Sequence, residues 1–303
     1  MAKWCTIAPI LYSDIEEKFE IPSELGNGAR LISIPAWLKE DTMTQYLDYS
    51  KRDRLMNYAN YAIEVIYDAD SYGAPDLDWE GKYPRSLQDR ALETINLCNI
   101  AIWISNPCDF RYELIYDVYE HNGKWNFKSY NEYIGLKPHK KYMDHKLNMQ
   151  DIQLSKSLLD VLIKIQRHSP VWVAIRSLWR ALTEDTWEVR FLLMWIVLEG
   201  LFGPDDPREI TYRLSQRLSL FLSSDDKNNA KPLYDVIKKV YGWRSKVVHG
   251  MRLNKLSDND SDDILFNAEK WIRLSLFKIL SDPKLLMNFN ENRETYLDNI
   301  VFE

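Results

Sequence analysis

Residues 241–250, Tyr-Gly-Trp-Arg-Ser-Lys-Val-Val-His-Gly, carry the side chains best suited to chemistry. The guanidinium of Arg244 is always charged and can hold phosphate oxygens, whereas histidine is the side chain that ordinarily titrates near neutral pH, so His249 is suited to transferring a proton. Ser245 lies four residues before His249, so on a helix the two share a face, and its hydroxyl can bind phosphate or orient the imidazole. These residue types in this spacing indicate phosphodiester chemistry that needs no metal.

A helix over residues 233–248 must position this group. Leu233, Ile237 and Val240 recur at helical steps, and Gly250 is a good helix stop. At about 100° per residue, Arg244 lies roughly 140° around such a helix from the histidine. The arginine side chain is long enough to curl back, so the two groups can act on one ligand.

Three blocks of sequence carry a resemblance to a known family. Arg244 and His249 are five residues apart within a Tyr-x-x-Arg-Ser-x-x-x-His-Gly string, residues 198–202 read Leu-Glu-Gly-Leu-Phe, and residues 209–217 read Glu-Ile-Thr-Tyr-Arg-Leu-Ser-Gln-Arg. In this order the blocks resemble the HEPN domains, and among them the Apea-like branch. Many active HEPN motifs carry Asn, Asp or His directly after the arginine, and the Apea-like branch accepts the Ser that stands there in this chain. The resemblance covers residues 186–283.

The resemblance implies an all-α bundle that forms a two-fold homodimer, with both motifs lining one active cleft at the dimer interface. It implies a metal-independent endoribonuclease in which His249 takes the 2′-hydroxyl proton or protonates the leaving oxygen. Arg244 would bind the scissile phosphate. Ser245 would hydrogen-bond to the phosphate or orient the imidazole of His249. No cofactor is expected, and the expected partner is RNA, with tRNA among the candidates. Members of this branch are associated with phage defence or toxin-like growth arrest, so such a role is the expectation here.

Basic side chains around the motif are the expected substrate-binding groups. Residues 208–255 contain 11 Lys and Arg against 4 Asp and Glu, a local field suited to a phosphate backbone. Lys246 adjoins the motif, and Arg213 and Arg217 lie four apart, so both can grip one phosphate. The alternative for these two arginines is an ion pair with a carboxylate, and the candidates are Glu199, Glu209 and Asp235.

Two other functions stay open at the level of sequence. In the first, a catalytically weak bundle uses these cations only to bind RNA or a nucleotide. In the second, Arg244 pairs with Asp235 or Glu199 to lock the bundle, and His249 only ends a helix. Trp243 is similarly open, since it can anchor an interface, stack on a base or pack in the core.

The composition is that of an ordinary globular chain of 303 residues, 46% of them hydrophobic. The net charge of −6 argues against a nonspecific nucleic-acid coat, and all excess acid lies in residues 1–150, with 17 basic and 23 acidic side chains, because residues 151–303 hold 22 of each. The three scattered cysteines lack metal-ligand or disulfide spacing, which favours a reducing compartment and no metal site. No signal peptide or membrane span is recognisable, so we expect a cytoplasmic protein with no membrane partner.

The pattern divides the chain into two domains. Residues 1–145 predict an α+β domain, a candidate sensor or target-recognition module, and residues 146–303 predict an all-α helical bundle of HEPN type. Residues 137–146 are the expected linker. The elements expected in the first domain are strands at residues 4–12, 29–37 and 61–67, a helix at 85–105 and a hairpin around the Asn122-Gly123 turn. The elements expected in the second are helices at residues 151–167, 171–182, 187–202, from Pro207 onward, 233–248 and 264–280, with an acidic loop at 257–263.

Overall fold

The structure is a computed structural model that describes residues 3–13, 15–16, 20–68, 76–77, 84–85, 87–206, 208–250 and 257–302. The chain forms two compact units, Met1–Lys164 and Ile165–Glu303. An antiparallel sheet dominates the first unit, and helices follow throughout the described part of the second. The predicted succession of an α+β region and a helical region is therefore confirmed.

The first unit is built on a six-stranded sheet with short accessory strands and four helices. The strands are β1 (Lys3–Ile10), β2 (Tyr12–Ser13), β3 (Ser23–Gly26), β4 (Ala29–Ser33), β5 (Tyr61–Asp68), β6 (Asp76–Leu77), β7 (Pro84–Arg85), β8 (Phe110–Arg111), β9 (Leu114–His121) and β10 (Lys124–Glu132). The helices are α1 (Asp41–Thr44), α2 (Tyr49–Tyr58), α3 (Leu87–Ser105) and α4 (Met149–Leu162). The main sheet has the order β10-β9-β1-β5-β4-β3, and all its neighbouring strands are antiparallel.

Apolar alternation and turn chemistry explain the central part of this sheet. Cys5 and Ile7 of β1 belong to a buried cluster that also contains Leu38 and Leu55. The predicted hairpin is confirmed as β9 and β10, and both residues of its turn have positive φ, 52° at Asn122 and 73° at Gly123. Asparagine and glycine tolerate that conformation best, which is why this dipeptide closes tight hairpins.

The strand predicted at residues 29–37 ends earlier than expected. β4 stops at Ser33, and a 3-10 helix, Ala36–Lys39, follows directly after Pro35. Proline has no backbone N–H and cannot donate to a strand ladder, so the apolar residues beyond it pack as a helical turn instead.

Helix α4 belongs to the first unit, so the division of the chain falls one helix later than the predicted boundary at 145/146. Asp151 of α4 accepts a hydrogen bond from Asn106 Nδ2 at 2.8 Å, and Ser155 Oγ lies 2.8 Å from Ser105 Oγ at the end of α3. The expected linker contains buried side chains and a short 3-10 helix, Lys140–Tyr142. Its lysines are surface residues of a packed segment, which is why their charge resembled that of a solvated linker.

The second unit is helical and is organised around one central helix. Its helices are α5 (Pro170–Thr183), α6 (Trp187–Phe202), α7 (Ile210–Leu222), α8 (Ala230–Val248), α9 (Asp258–Ser281), α10 (Pro283–Glu291) and α11 (Arg293–Phe302), with a 3-10 turn at Lys227–Asn229. Helix α6 contacts α5, α7, α8 and α9. A helix that is apolar on most of its circumference must be surrounded in this way.

Two expectations for the second unit are corrected by the structure. The acidic stretch at residues 257–263 is the start of α9 rather than a loop, because Ser257 caps the helix by accepting a hydrogen bond from Asp260 N at 3.1 Å. Carboxylates are favourable in the first turn, where they face the positive end of the helix dipole. Helices α10 and α11 were not anticipated at all. The helix start predicted at Pro207 lies outside the described residues, and α7 begins at Ile210.

In the described part of the chain, no helix is both long enough and apolar enough to cross a bilayer.

Candidate functional site

The motif occupies the last two turns of α8, where the helix ends in a regular stop. The backbone N–H of His249 donates to Ser245 O at 3.1 Å, and that of Gly250 donates to Val247 O at 3.0 Å. Gly250 has φ +61°, the left-handed conformation that glycine adopts without strain after a helix. The helix therefore ends at Val248, and His249 is its C-cap residue.

The side chains of Ser245, Lys246 and His249 are exposed at this end of α8. Within the described part of the chain, the Ser245 hydroxyl and the His249 imidazole make no hydrogen bond. A proton acceptor and a hydroxyl one turn apart are therefore accessible to a ligand from solvent.

Arg244 faces the opposite way, toward Glu199 in the last turn of α6. Its Nη2 donates to Glu199 Oε2 at 3.0 Å, and its Nε lies 2.9 Å from Oε1. The arginine side chain nevertheless keeps 27% of its exposure. The Nε contact is close but lacks hydrogen-bond geometry. A guanidinium has five N–H groups, so a carboxylate that accepts from Nη2 and lies beside Nε orients it while leaving donors on the exposed edge.

Tyr241 completes the support of this ion pair. Its hydroxyl donates to Glu199 Oε1 at 2.9 Å, and its ring packs edge-on against Trp195 with centroids 4.9 Å apart. Burial raises the pKa of the Tyr241 hydroxyl, and the charge of Glu199 raises it further. The phenol thus stays protonated and remains a donor. Sequence reasoning gave Tyr241 no role, although its position three residues before Arg244 was visible in the motif.

Lys246 and Trp243 interact with each other rather than with the core. Lys246 Nζ lies 3.8 Å from the centroid of the Trp243 ring, a cation–π contact on the surface of α8. The indole is half-buried, so part of it is accessible. Of the uses considered for Trp243, a role at the surface fits this position better than one in the core.

Arg213 and Arg217 are not part of this group, because both lie on α7 and are engaged by carboxylates of α11. Arg217 donates to Glu294 at 2.7 and 3.0 Å and to Asp298 at 2.6 Å, and only 1% of its side chain is exposed. Arg213 donates to Glu294 at 3.0 Å and to Asp298 at 3.4 Å. In this conformation the two arginines hold helices together. Arg217 is closed to a phosphate, whereas Arg213 keeps 28% of its side chain exposed but lies on a different helix from the motif. Their partners differ from the three carboxylates considered in the sequence.

The basic field predicted over residues 208–255 is partly neutralised by such pairs. Arg208 pairs with Asp206, and Lys231 pairs with Asp235 at 2.9 Å. In the part of α8 that the structure describes, Lys238 and Lys239 contact no carboxylate. Within α8, the positive charge that no carboxylate neutralises therefore lies on the exposed Lys238, Lys239 and Lys246.

Among the described residues, no three His, Cys, Asp or Glu side chains come together in a group that could hold a metal ion. No family model, curated protein or solved structure matches this chain.

Proposed function

We propose that the protein is a metal-independent endoribonuclease of HEPN type. The observation that supports this most is the end of α8, where exposed Ser245 and His249 adjoin a partly exposed Arg244 whose orientation is fixed by Glu199. A nucleophilic 2′-hydroxyl is supplied by the RNA itself. The protein then needs only a proton-transfer group and a fixed positive charge, and both are present.

In the proposed reaction the 2′-oxygen attacks the adjacent phosphorus, and the bond from phosphorus to the 5′-oxygen breaks. His249 takes the 2′-hydroxyl proton or gives one to the leaving oxygen, and Arg244 stabilises the growing charge on the phosphate. Ser245 donates to a phosphate oxygen or orients the imidazole. Lys246 adds positive charge beside them. The products carry a 2′,3′-cyclic phosphate and a 5′-hydroxyl, and no metal or cofactor takes part.

Glu199 has a defined place in this scheme. An arginine held by one carboxylate is pre-oriented, so less conformational entropy is lost when its free N–H groups bind a phosphate. The substrate phosphate would share the guanidinium with Glu199 rather than replace it. This also explains why a residue contributing to catalysis lies partly inside the bundle.

The assembly and biological setting that we propose follow the resemblance. A homodimer would bring two Arg244 and His249 pairs to one cleft and double the positive field there. The first unit would act as sensor or target selector, in phage defence or toxin-like growth arrest. The homodimer and the biological role are thus parts of the proposal.

The test is cleavage of total tRNA and of a labelled single-stranded RNA in EDTA, with analysis of the product ends. We expect His249→Ala to lower the rate roughly 10²- to 10⁴-fold, the usual cost of losing a positioned proton-transfer group. His121→Ala is the matched control, because His121 is also exposed but lies on the hairpin of the first unit. Equal cleavage of a matched DNA strand, or unchanged cleavage by His249→Ala, would refute the proposal.

A structural role is the second candidate, and one contact favours it. The Arg244 and Glu199 pair links α8 to α6 regardless of any substrate. If that were its only purpose, no RNA would be cut under any condition and Arg244 would matter for stability alone.

A further inference from the structure

An open cavity of about 430 Å³ lies at the other end of α8 from His249. Such a volume falls within the roughly 300–1,000 Å³ that small-molecule sites occupy. The cavity lies between α7, the 3-10 turn and the start of α8. Its lining includes Tyr212, Gln216, Ser219, Lys227, Lys231 and Tyr234. Aromatic rings, an amide and ammonium groups therefore surround one space.

Two tyrosines form an aromatic platform at this cavity. The ring centroids of Tyr212 and Tyr234 are 6.0 Å apart with the rings edge to face, and 48% of Tyr212 is exposed. Lys231 Nζ and Lys238 Nζ lie 4.8 and 5.6 Å from the centroid of the Tyr234 ring. Exposed aromatic rings flanked by cations are the combination that binds single-stranded nucleic acid, because bases stack on the rings and phosphates contact the cations.

The cavity and the motif lie on the same face of α8. Lys231, Tyr234, Lys238, Ser245 and His249 follow one another at steps of three, four, seven and four residues, which keeps all five on one stripe of an α-helix. At 1.5 Å per residue the stripe is about 27 Å long.

No side chain interrupts the longest gap of this stripe. Gly242 occupies the position between Lys238 and Ser245, and a β-carbon placed there would meet no atom within 4 Å. The surface between the cavity and the motif is therefore open to an extended ligand.

The charges along the stripe favour a polyanion. Asp235 is the acidic residue of α8 nearest to the cavity, and it pairs with Lys231. Beyond it, Lys238, Lys239 and Lys246 are exposed, and no acidic residue follows Asp235 within α8. Positive charge without a carboxylate partner therefore lies between the cavity and the motif, where a phosphate backbone that joins them would pass.

We propose that this cavity is a nucleobase subsite for single-stranded RNA, and that the strand runs from it along α8 to His249. One base stacks on Tyr212, the more exposed of the two rings, Gln216 faces its edge, and the following phosphates contact Lys238 and Lys246. This inference rests on the proposed ribonuclease function and adds a remote binding contact to it. The substrate is accordingly an unpaired RNA segment long enough to span the stripe.

The experiment measures the affinity of a fluorescent single-stranded RNA of about 12 nucleotides, within the site sizes of single-strand-binding proteins. The measurement is made in EDTA with the full-length His249→Ala chain, so that the RNA stays uncut. Adding Tyr212→Ala should weaken binding about tenfold, whereas Tyr212→Phe should bind normally because stacking needs the ring and not the hydroxyl. Tyr49→Ala is the control, since Tyr49 is 86% exposed in the first unit.

Two further measurements make the assignment specific. An RNA of the same length without bases should bind equally to the parent chain and to Tyr212→Ala. Replacing Lys238 by Gln should lower the salt dependence of binding by about 0.7 in logarithmic slope, the share of one phosphate contact on a single strand. Lys284→Gln, which removes an exposed lysine of α10, should leave the slope unchanged.

The outcomes separate this inference from the proposed function. Tyr212-dependent binding without cleavage by the wild-type chain would support the subsite and refute the nuclease. Cleavage by the wild type together with equal affinity of Tyr212→Ala and its parent would refute the subsite alone. An absence of RNA binding by every variant would refute the subsite and remove the basis of both proposals.

Discussion

At the scale of the residue, Arg244 combines a structural contact with the proposed catalytic one. Its guanidinium is bound by Glu199 and packs beside Tyr241, yet more than a quarter of the side chain is exposed. A phosphate-binding arginine must keep an accessible edge, and Arg244 keeps one while Glu199 holds it in place. Exposure alone does not establish that role, because Arg213, which pairs with Glu294, is exposed to the same degree.

The two roles of Arg244 can be separated by substituting each member of the pair. We expect Arg244→Ala to lower the free energy of unfolding by an amount between the ~1 kcal/mol of an exposed ion pair and the ~3 kcal/mol of a buried one. Glu199→Gln should cost a similar amount, because either change leaves the other group without its ionic partner. Cleavage should be lost with Arg244→Ala but should survive in part with Glu199→Gln, which leaves the guanidinium in place. Urea unfolding and the RNA assay measure the two effects.

The control for this pair is Lys231→Gln, which breaks an exposed ion pair one turn apart on the same helix. Its effect on unfolding should be well below ~1 kcal/mol. Equal stability losses from Arg244→Ala and Glu199→Gln, with equal residual cleavage, would show that Arg244 acts only as a structural residue.

The spacing of the motif residues and of the apolar residues before them was sufficient to predict the helix that carries them, while their chemistry stays a prediction. The same spacing was not sufficient to predict which side chains are free. The sequence offered Asp235 and Glu199 as partners for Arg244. It could not decide between them, because the choice depends on how α6 packs against α8. For Arg213 and Arg217 the partners lie about 80 positions further along the chain, in a helix with no chemical motif of its own. Local patterns carry no information on such a contact.

At the scale of the element, α11 acts as a clamp on α7. Its Glu294 and Asp298 lie one turn apart and both accept hydrogen bonds from Arg217, while Arg293 in the same helix donates to Gly200 O at 2.5 Å. The hydrogen bonds from Arg217 lower the pKa of both carboxyl groups. Burial alone would lower the pKa of Arg217, but the same two carboxylates raise it. The three groups therefore stabilise one another in their charged forms.

This clamp predicts a loss of stability in acid. A carboxyl group whose pKa is lower in the folded chain contributes stability above its unfolded pKa, about 4.3 for Glu and 3.9 for Asp, and that contribution disappears as the pH falls below those values. The double variant Glu294→Gln, Asp298→Asn should be less stable at neutral pH by about 3 kcal/mol at most, since Asp298 is nearly half exposed and solvent screens it. Its stability should then vary less with pH than that of the wild type.

Urea titrations at several pH values compare the two chains. Glu291→Gln serves as the control, because this exposed residue of α10 makes no ion pair within the described part of the chain. A double variant whose stability falls in acid as steeply as that of the wild type would show that the clamp is not the source of the acid sensitivity.

Element boundaries were predictable where the chain has strong local signals. Helix α6 has the predicted bounds because its apolar run starts after a polar Asp-Thr pair and ends at Gly203-Pro204. The prediction failed where one local signal has two meanings. A run of aspartates suits a loop, but after a capping serine it also suits the first turn of a helix. Only the packing of the rest of α9 decides between them.

At the scale of the whole molecule, composition and hydrophobic period predicted the order of the two regions but not the place where they divide. Helix α4 has the same amphipathic pattern as the helices after it, and nothing in its sequence shows that it packs on α3 and β3. The close approach of Gly26 to α4 illustrates the reason. A β-carbon at Gly26 would lie 3.2 Å from Asp160 Oδ1, a contact between positions more than 130 residues apart. Such long-range contacts, and not local patterns, define a compact unit.

Two exposed apolar side chains lie beside the candidate site and bear on the proposed homodimer. Ile196, one turn before Glu199, is 46% exposed, and Val248, one turn after Arg244, is 49% exposed. In a two-fold dimer whose cleft contains both motifs, these side chains would be covered, and each would occur twice in one interface. Val248→Asp should therefore convert the dimer to a monomer in sedimentation velocity and reduce RNA cleavage with it, because it buries two unpaired charges. Val173 of α5 is exposed to a similar extent, so Val173→Asp is the control and should neither dissociate the dimer nor reduce cleavage. A wild-type chain that sediments as a monomer, or a Val248→Asp chain that remains a dimer, would exclude this interface and would require His249 and Arg244 of a single chain to act alone.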